Sequence, residues 1–147
     1  MVTNQNTQLL KEIYEASAMG MEATKLVLPK VTDESLRGEI ERQAQKYKGL
    51  AVKTEKMLAK QGETPDAEPA MKKAMLWGSV QMNTLVDSSP THIAEMMISG
   101  TTMGIIDMTK KLNQLDEADA GAKKLAEEYI QGEQKNIELL KQHLGTV

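Results

Sequence analysis

The stretch MMISGTTMGIIDM, residues 96–108, decides the fold. It carries four methionines, three isoleucines, a Gly100-x-x-x-Gly104 pair and a single acid. Alone, such a string suits a membrane span, a cofactor loop or a helix pressed between neighbours. Length disposes of the first use, because the apolar run is interrupted by Ser99, Thr101 and Thr102 and falls short of the roughly 18 residues a bilayer requires. Context disposes of the second, because a phosphate-cradling glycine pair sits between a strand and a helix, whereas this pair lies within one helical pattern. At about 100° per residue, Ile93, Met97, Thr101, Gly104, Ile105, Met108 and Leu112 share a face. Met96, Gly100 and Met103 lie beside that face, Ile106 lies further round, and only a strip around Glu95, Thr102 and Asn113 is clearly polar. A helix this apolar around its circumference is contacted on more than one side. It is read as a helix sandwiched between a bundle and a crossover, or between two subunits, with a ligand surface as the competing use. Gly100 and Gly104 are expected to let a neighbouring backbone approach.

The rest of the chain supports an all-α architecture. Its 147 residues suit one domain with a core of its own. There are no phenylalanines, one tryptophan, three tyrosines and 11 methionines, and every long segment has helical rather than alternating periodicity. Five helices are expected, over about 5–28, 33–61, 70–86, 91–115 and 122–144. Pro29 ends the first, Thr32 or Asp33 caps the second, and GETPDAEP (62–69) is the clearest loop. Ser89 before Pro90 starts the fourth, and DEADAG (116–121) carries the last turn. Four of the five are long, and the short third segment lies between two helical hairpins. That is one way to build a four-helix bundle with a long crossover.

Composition narrows the function. The net charge of −3, with lysines and arginines interspersed among acids, gives no basic stripe for nucleic acid. The absence of cysteine excludes disulfides, thiolate metal sites and cysteine nucleophiles. The first residues show no basic and apolar leader, so a cytoplasmic protein without membrane contact is expected.

One polar anomaly stands out. Leu125, Ala126, Tyr129, Glu133, Asn136, Ile137, Leu140 and Leu144 share the apolar face of the fifth helix, so Glu133 and Asn136 fall within the stripe. A carboxylate there must be paired, ligated or protonated. The choice lies between a hydrogen-bond partner of Tyr47 or Tyr14 and a weak metal ligand, with Glu133, Asn136 and Tyr47 as the candidates. On the third segment, Met71, Met75, Gly78, Met82 and Leu85 form a face able to cover the bundle, which leaves Leu76, Trp77, Val80 and Thr84 on the other side. Trp77 and Val80, with Met96, Met103 and Ile106, are therefore the interface candidates.

Taken together, HIAEMMISGTTMGIIDMTKKLNQ (92–114) and LPKVTDESLRGEIERQA (28–44) resemble the ferritin-like superfamily. The closer resemblance is to bacterial ferritin-like proteins carrying only a domain-of-unknown-function label. Catalytic members build a di-iron or di-manganese site from a glutamate on each of two helices and Glu-x-x-His on the other two. This chain has no Glu-x-x-His; the nearest remnant, Glu133-Gln134-Lys135-Asn136, ends in asparagine, and His92-x-x-Glu95 reverses the order. The resemblance thus implies the fold without a cofactor or catalytic residues. The expected function is a non-catalytic bundle acting through self-association, such as a dimer, or through a protein partner. The alternative is a degenerate metal protein holding iron or manganese near Glu133, and a small-molecule site beside Gly100 and Gly104 is the third reading.

Overall fold

The computed structural model describes residues 4–66 and 70–146, with the side chains of Ala70, Met71 and Val86 outside the description. Among the described residues there are five α-helices and no strand. They are α1 (Gln5–Val27), α2 (Glu34–Lys60), α3 (Ala70–Val86), α4 (Pro90–Gln114) and α5 (Ala120–Lys141), with a 3-10 turn at Leu28–Lys30. Local chemistry accounts for the boundaries. Pro29 has no N–H to donate, so α1 closes into the short 3-10 turn instead of running on. Asp33 rather than Thr32 caps α2, accepting from the backbone N–H groups of Ser35 and Leu36 at 2.9 and 3.2 Å. Ser89 accepts from His92 N–H at 3.3 Å and Pro90 takes the first turn of α4. Helix α5 begins two residues earlier than its periodicity suggests, because Asp119 caps it by accepting from Ala122 N–H at 2.9 Å. It ends at Lys141 rather than Leu144.

The long helices α1, α2, α4 and α5 pack into a helical bundle, and α3 lies against α1 in the connection between the two hairpins. Side chains pin the joints: Asn6 on α1 donates to the Asp119 carboxylate at 2.7 Å, and Gln5 accepts from Glu117 N–H at 2.7 Å. The core is in two parts. One is built on Leu10, Ile13, Leu58, Met108, Leu125 and Tyr129, the other on Val27, Leu36, Ile40, Val80, Ile93 and Leu140. Side chains from the middle of α2 and α5, Gln43, Tyr47, Glu133 and Asn136, form a polar layer between the two, together with Ser17 on α1 and Thr101 on α4.

The crossover helix is turned the other way from its expected orientation. Val80 is 4% exposed and joins the second core, with Leu76 packed against it and Thr84 buried beside them. Val80 is therefore a core residue, not an interface residue. Met75, Met82 and Leu85, expected to cover the bundle, are 69, 71 and 84% exposed. Met71, the fourth large residue of that face, has its side chain outside the described residues. Both arcs of α3 are apolar, so periodicity alone does not choose between them. Thr84 costs little to bury because its hydroxyl donates to the Val80 carbonyl at 2.8 Å. Leu76 and Val80 then fit against the apolar surface of Val27, Ile93, Met96 and Met97.

A polar layer beside a methionine-lined groove

Glu133 is the centre of the polar layer and is 4% exposed. Tyr47, not Tyr14, donates its hydroxyl to Glu133 Oε1 at 2.6 Å, and the Asn136 amide donates to the same oxygen at 2.9 Å. The Tyr129 hydroxyl is a further polar neighbour of the carboxylate and favours its charged form. Burial raises the Glu133 carboxyl above its ordinary value, an effect opposed in part by these three neighbours. The phenols of Tyr47 and Tyr129 are pushed up by burial and by the neighbouring carboxylate, so both remain donors.

The network continues outward through residues that periodicity did not single out. Arg42 donates to Asn136 Oδ1 at 2.8 Å and forks onto Glu39 at 3.0 and 2.7 Å, while Gln43 donates to Glu39 at 2.7 Å. The Arg42 charge is thereby spent on Glu39 and not on Glu133. Spacing on α2 offers a partial signal, since Glu39, Arg42 and Gln43 fall three and four residues apart. Their link to Asn136, 94 positions away, is tertiary. Thr24 bonds the local Gly20 and Met21 carbonyls as expected of a buried helix threonine, but Ser17 Oγ has no hydrogen-bond partner among the described residues.

The two glycines of the opening stretch behave differently. Nothing lies within 4 Å of where a Cβ on Gly100 would stand. On Gly104 a Cβ would come within 2.8 Å of the Tyr129 hydroxyl and 3.4 Å of Glu133 Oε2. What approaches α4 is therefore a pair of polar side-chain tips at one glycine, not a backbone at both. A matching notch occurs at Gly20, where a Cβ would meet the Tyr47 ring at 2.7 Å. The missing side chains of Gly20 and Gly104 make room for the two tyrosines that hold Glu133.

On the far side of Gly104 lies a groove of about 670 Å³ between α1, α3 and α4. Met19, Met96, Met97 and Met103 line its walls, and Tyr47, Tyr129 and Glu133 reach it from below. The wide apolar arc of α4 is explained by this arrangement. Met96 and Met97 are half-buried under α3, whereas Met103 and Ile106 lie beyond its cover and are 56 and 42% exposed. Trp77, also 56% exposed, sits at the edge of the inward face of α3. Three interface candidates, Trp77, Met103 and Ile106, are thus on the surface, Met96 lines the groove, and Val80 is in the core.

Glu133, Asn136 and Tyr47 do come together, as hydrogen-bond partners. Among the described residues, no group of three or more histidine, aspartate or glutamate side chains stands close enough to hold a metal ion. Nor is any helix long and apolar enough to cross a membrane.

No family model matches the chain, and no curated protein matches it. Among solved structures it is similar to the crystal structure of a DUF305 fragment from Deinococcus radiodurans, with a TM-score of 0.75 over 99% of this chain and 98% of that one. The sequences are 18% identical, so the likeness shows a shared all-helical fold and transfers no residue roles.

Proposed function

We propose that this chain is a non-catalytic bundle on the ferritin-like plan that works by self-association, with α3 as the docking helix and a second copy as its occupant. Two features support the plan: a long crossover carrying a short helix, and a polar layer at mid-height, where catalytic relatives keep their ligands. Here hydrogen bonds occupy that layer, because Glu133 already accepts from Tyr47 and Asn136, with the Tyr129 hydroxyl beside them.

The observation that carries the association is the stripe of exposed Met75, Met82 and Leu85 with half-buried Gly78 among them. Its steps of three, four and three residues are those of a coiled-coil seam. The stripe is symmetric about the level of residue 80, so an antiparallel pair centred there sets Met75 against Leu85 and Gly78 against Met82 of the second copy. The same pairing brings Lys73, in the first turn of one helix, toward the carboxyl end of the other and the Asp87 that follows it. Methionine side chains adapt to such a contact with little strain. A 17-residue helix presents a face about 25 Å long, which places the interface at the small end of specific contacts. The dimer is therefore expected to dissociate in the micromolar range.

Sedimentation velocity across that range tests the reading, comparing the parent with the double variant Met75→Glu, Met82→Glu. The parent should shift from monomer to dimer with concentration, while the variant stays monomeric with unchanged helicity. A parent monomeric at every concentration overturns self-association.

A further inference from the structure

The groove between α1, α3 and α4 has a charge pattern that its apolar walls do not require. Four acids line it, Glu12, Glu15, Asp107 and Glu133, against two cations, Lys72 and Lys111. Both cations are engaged: Lys111 pairs with Glu12 at 3.3 Å, and Lys72 pairs with Glu15. Asp107 is exposed at the rim and forms no ion pair among the described residues. Glu133 receives only neutral donors, and the nearest arginine, Arg42, is committed to Glu39.

The geometry at the floor is directional. Tyr47 and Asn136 both donate to Glu133 Oε1. Oε2 faces α4, 3.4 Å from the place that a side chain on residue 104 would fill. The glycine there makes room for the Tyr129 hydroxyl, 2.8 Å from the same place, and the carboxylate lies beside that hydroxyl at the floor of the groove. With Asp107 three residues further along α4, two acids without cations stand at different depths along one methionine-lined wall. A buried carboxyl with no cation beside it holds its proton to higher pH, and a cation bound in place of that proton restores the charged form. Thioether walls accept aliphatic chains of varied shape and offer an anion no donor. An anionic ligand would meet only repulsion at both acids.

From these observations we infer that the groove is a binding site for an amphipathic organic cation: an alkylammonium group directed at Glu133 Oε2 and Asp107, its aliphatic body along Met97 and Met103. The inference is independent of self-association, because the exposed stripe of α3 lies on the opposite side of that helix from Leu76 and Val80, which face the groove.

The test uses octylammonium, 1-octanol and octanoate as matched probes, measured by isothermal titration calorimetry on the full chain and repeated on the monomeric Met75→Glu, Met82→Glu variant. Octylammonium should bind at least about tenfold more tightly than octanol, and octanoate should bind more weakly than either. Glu133→Gln should abolish most of the preference for the amine over the alcohol. Asp107→Asn, at an exposed position that leaves packing untouched, should reduce it severalfold. With methyl-labelled methionine, octylammonium should shift Met97 and Met103 and leave Met57, on α2, unmoved. Equal affinity for amine and alcohol overturns the inference. So does a preference that survives Asp107→Asn and Glu133→Gln together, or shifts that bypass Met97 and Met103.

Discussion

Substituting alanine at Gly100 and at Gly104 separates two kinds of glycine that sequence spacing makes look alike. Alanine in place of glycine in a helix gains about 0.8–1.0 kcal/mol from backbone entropy. At Gly100, which is exposed and has nothing within 4 Å of its missing Cβ, that gain should appear almost undiminished. At Gly104 the new methyl would stand 2.8 Å from the Tyr129 hydroxyl and 3.4 Å from Glu133 Oε2. The Tyr129 ring is packed in the first core, so its hydroxyl has little freedom to withdraw. Overpacking of this kind costs about 1–3 kcal/mol, and displacing the hydroxyl from the carboxylate costs about 1.5–3 more. Against the propensity gain, Gly104→Ala should destabilise by about 1.5–5 kcal/mol, lowering the melting temperature by roughly 3–20 °C. Gly100→Ala should raise it by about 2–4 °C. Urea denaturation followed by circular dichroism gives both values, with an unchanged slope confirming that the free energy itself has moved. Equal stabilisation by the two alanines would refute the close packing of the tyrosine and the carboxylate against α4.

Three further predictions concern the buried network and a helix boundary. Tyr47→Phe keeps the ring against Gly20 but removes a 2.6 Å hydrogen bond to a buried carboxylate, and should cost about 2 kcal/mol in urea denaturation. Combined with Glu133→Gln it should cost less than the sum, and strict additivity in that cycle would show that the two groups are uncoupled. Because burial raises the Glu133 carboxyl above its usual 4.5, the folded chain holds that proton to higher pH than the unfolded chain does. The stability contributed by this group is complete below the unfolded value and declines as pH rises through the folded one, so Glu133→Gln should gain on the parent as pH rises above about 4.5. A gap between the two that stays constant with pH would rule this out. Asp33→Ala removes the acceptor of two N–H groups at the start of α2 and should cost about 1 kcal/mol of thermal stability, recovered in part by Asp33→Ser.

How much of this was legible before the chain folded depends on the range of the interaction. The five helices and their stops come from groups a few residues apart: Pro29, Asp33 with Ser35, and Ser89 with Pro90. The placement of Glu133 and Asn136 inside an apolar stripe is equally local, since 3.6-residue geometry sets it, and a buried carboxylate among tyrosines follows from the cost of leaving it unpaired. Choosing Tyr47 over Tyr14, and recruiting Tyr129, Arg42 and Glu39 to the same network, required the relative rotation of α2, α4 and α5, which side-chain periodicity on single helices does not encode. The crossover illustrates the limit most clearly. Both arcs of α3 are apolar, and its orientation follows from which arc meets Val27, Ile93 and Met97, a contact that exists only after the hairpins have packed. The same holds for Gly100 and Gly104, identical in the chain and one turn apart, of which only the second faces Tyr129 and Glu133. Sequence by itself determined the helices, their caps and the burial of a carboxylate, because those rest on neighbours along the chain. Tertiary structure decided which faces meet, what the glycines accommodate and where the groove opens, because those rest on surfaces brought together from distant segments.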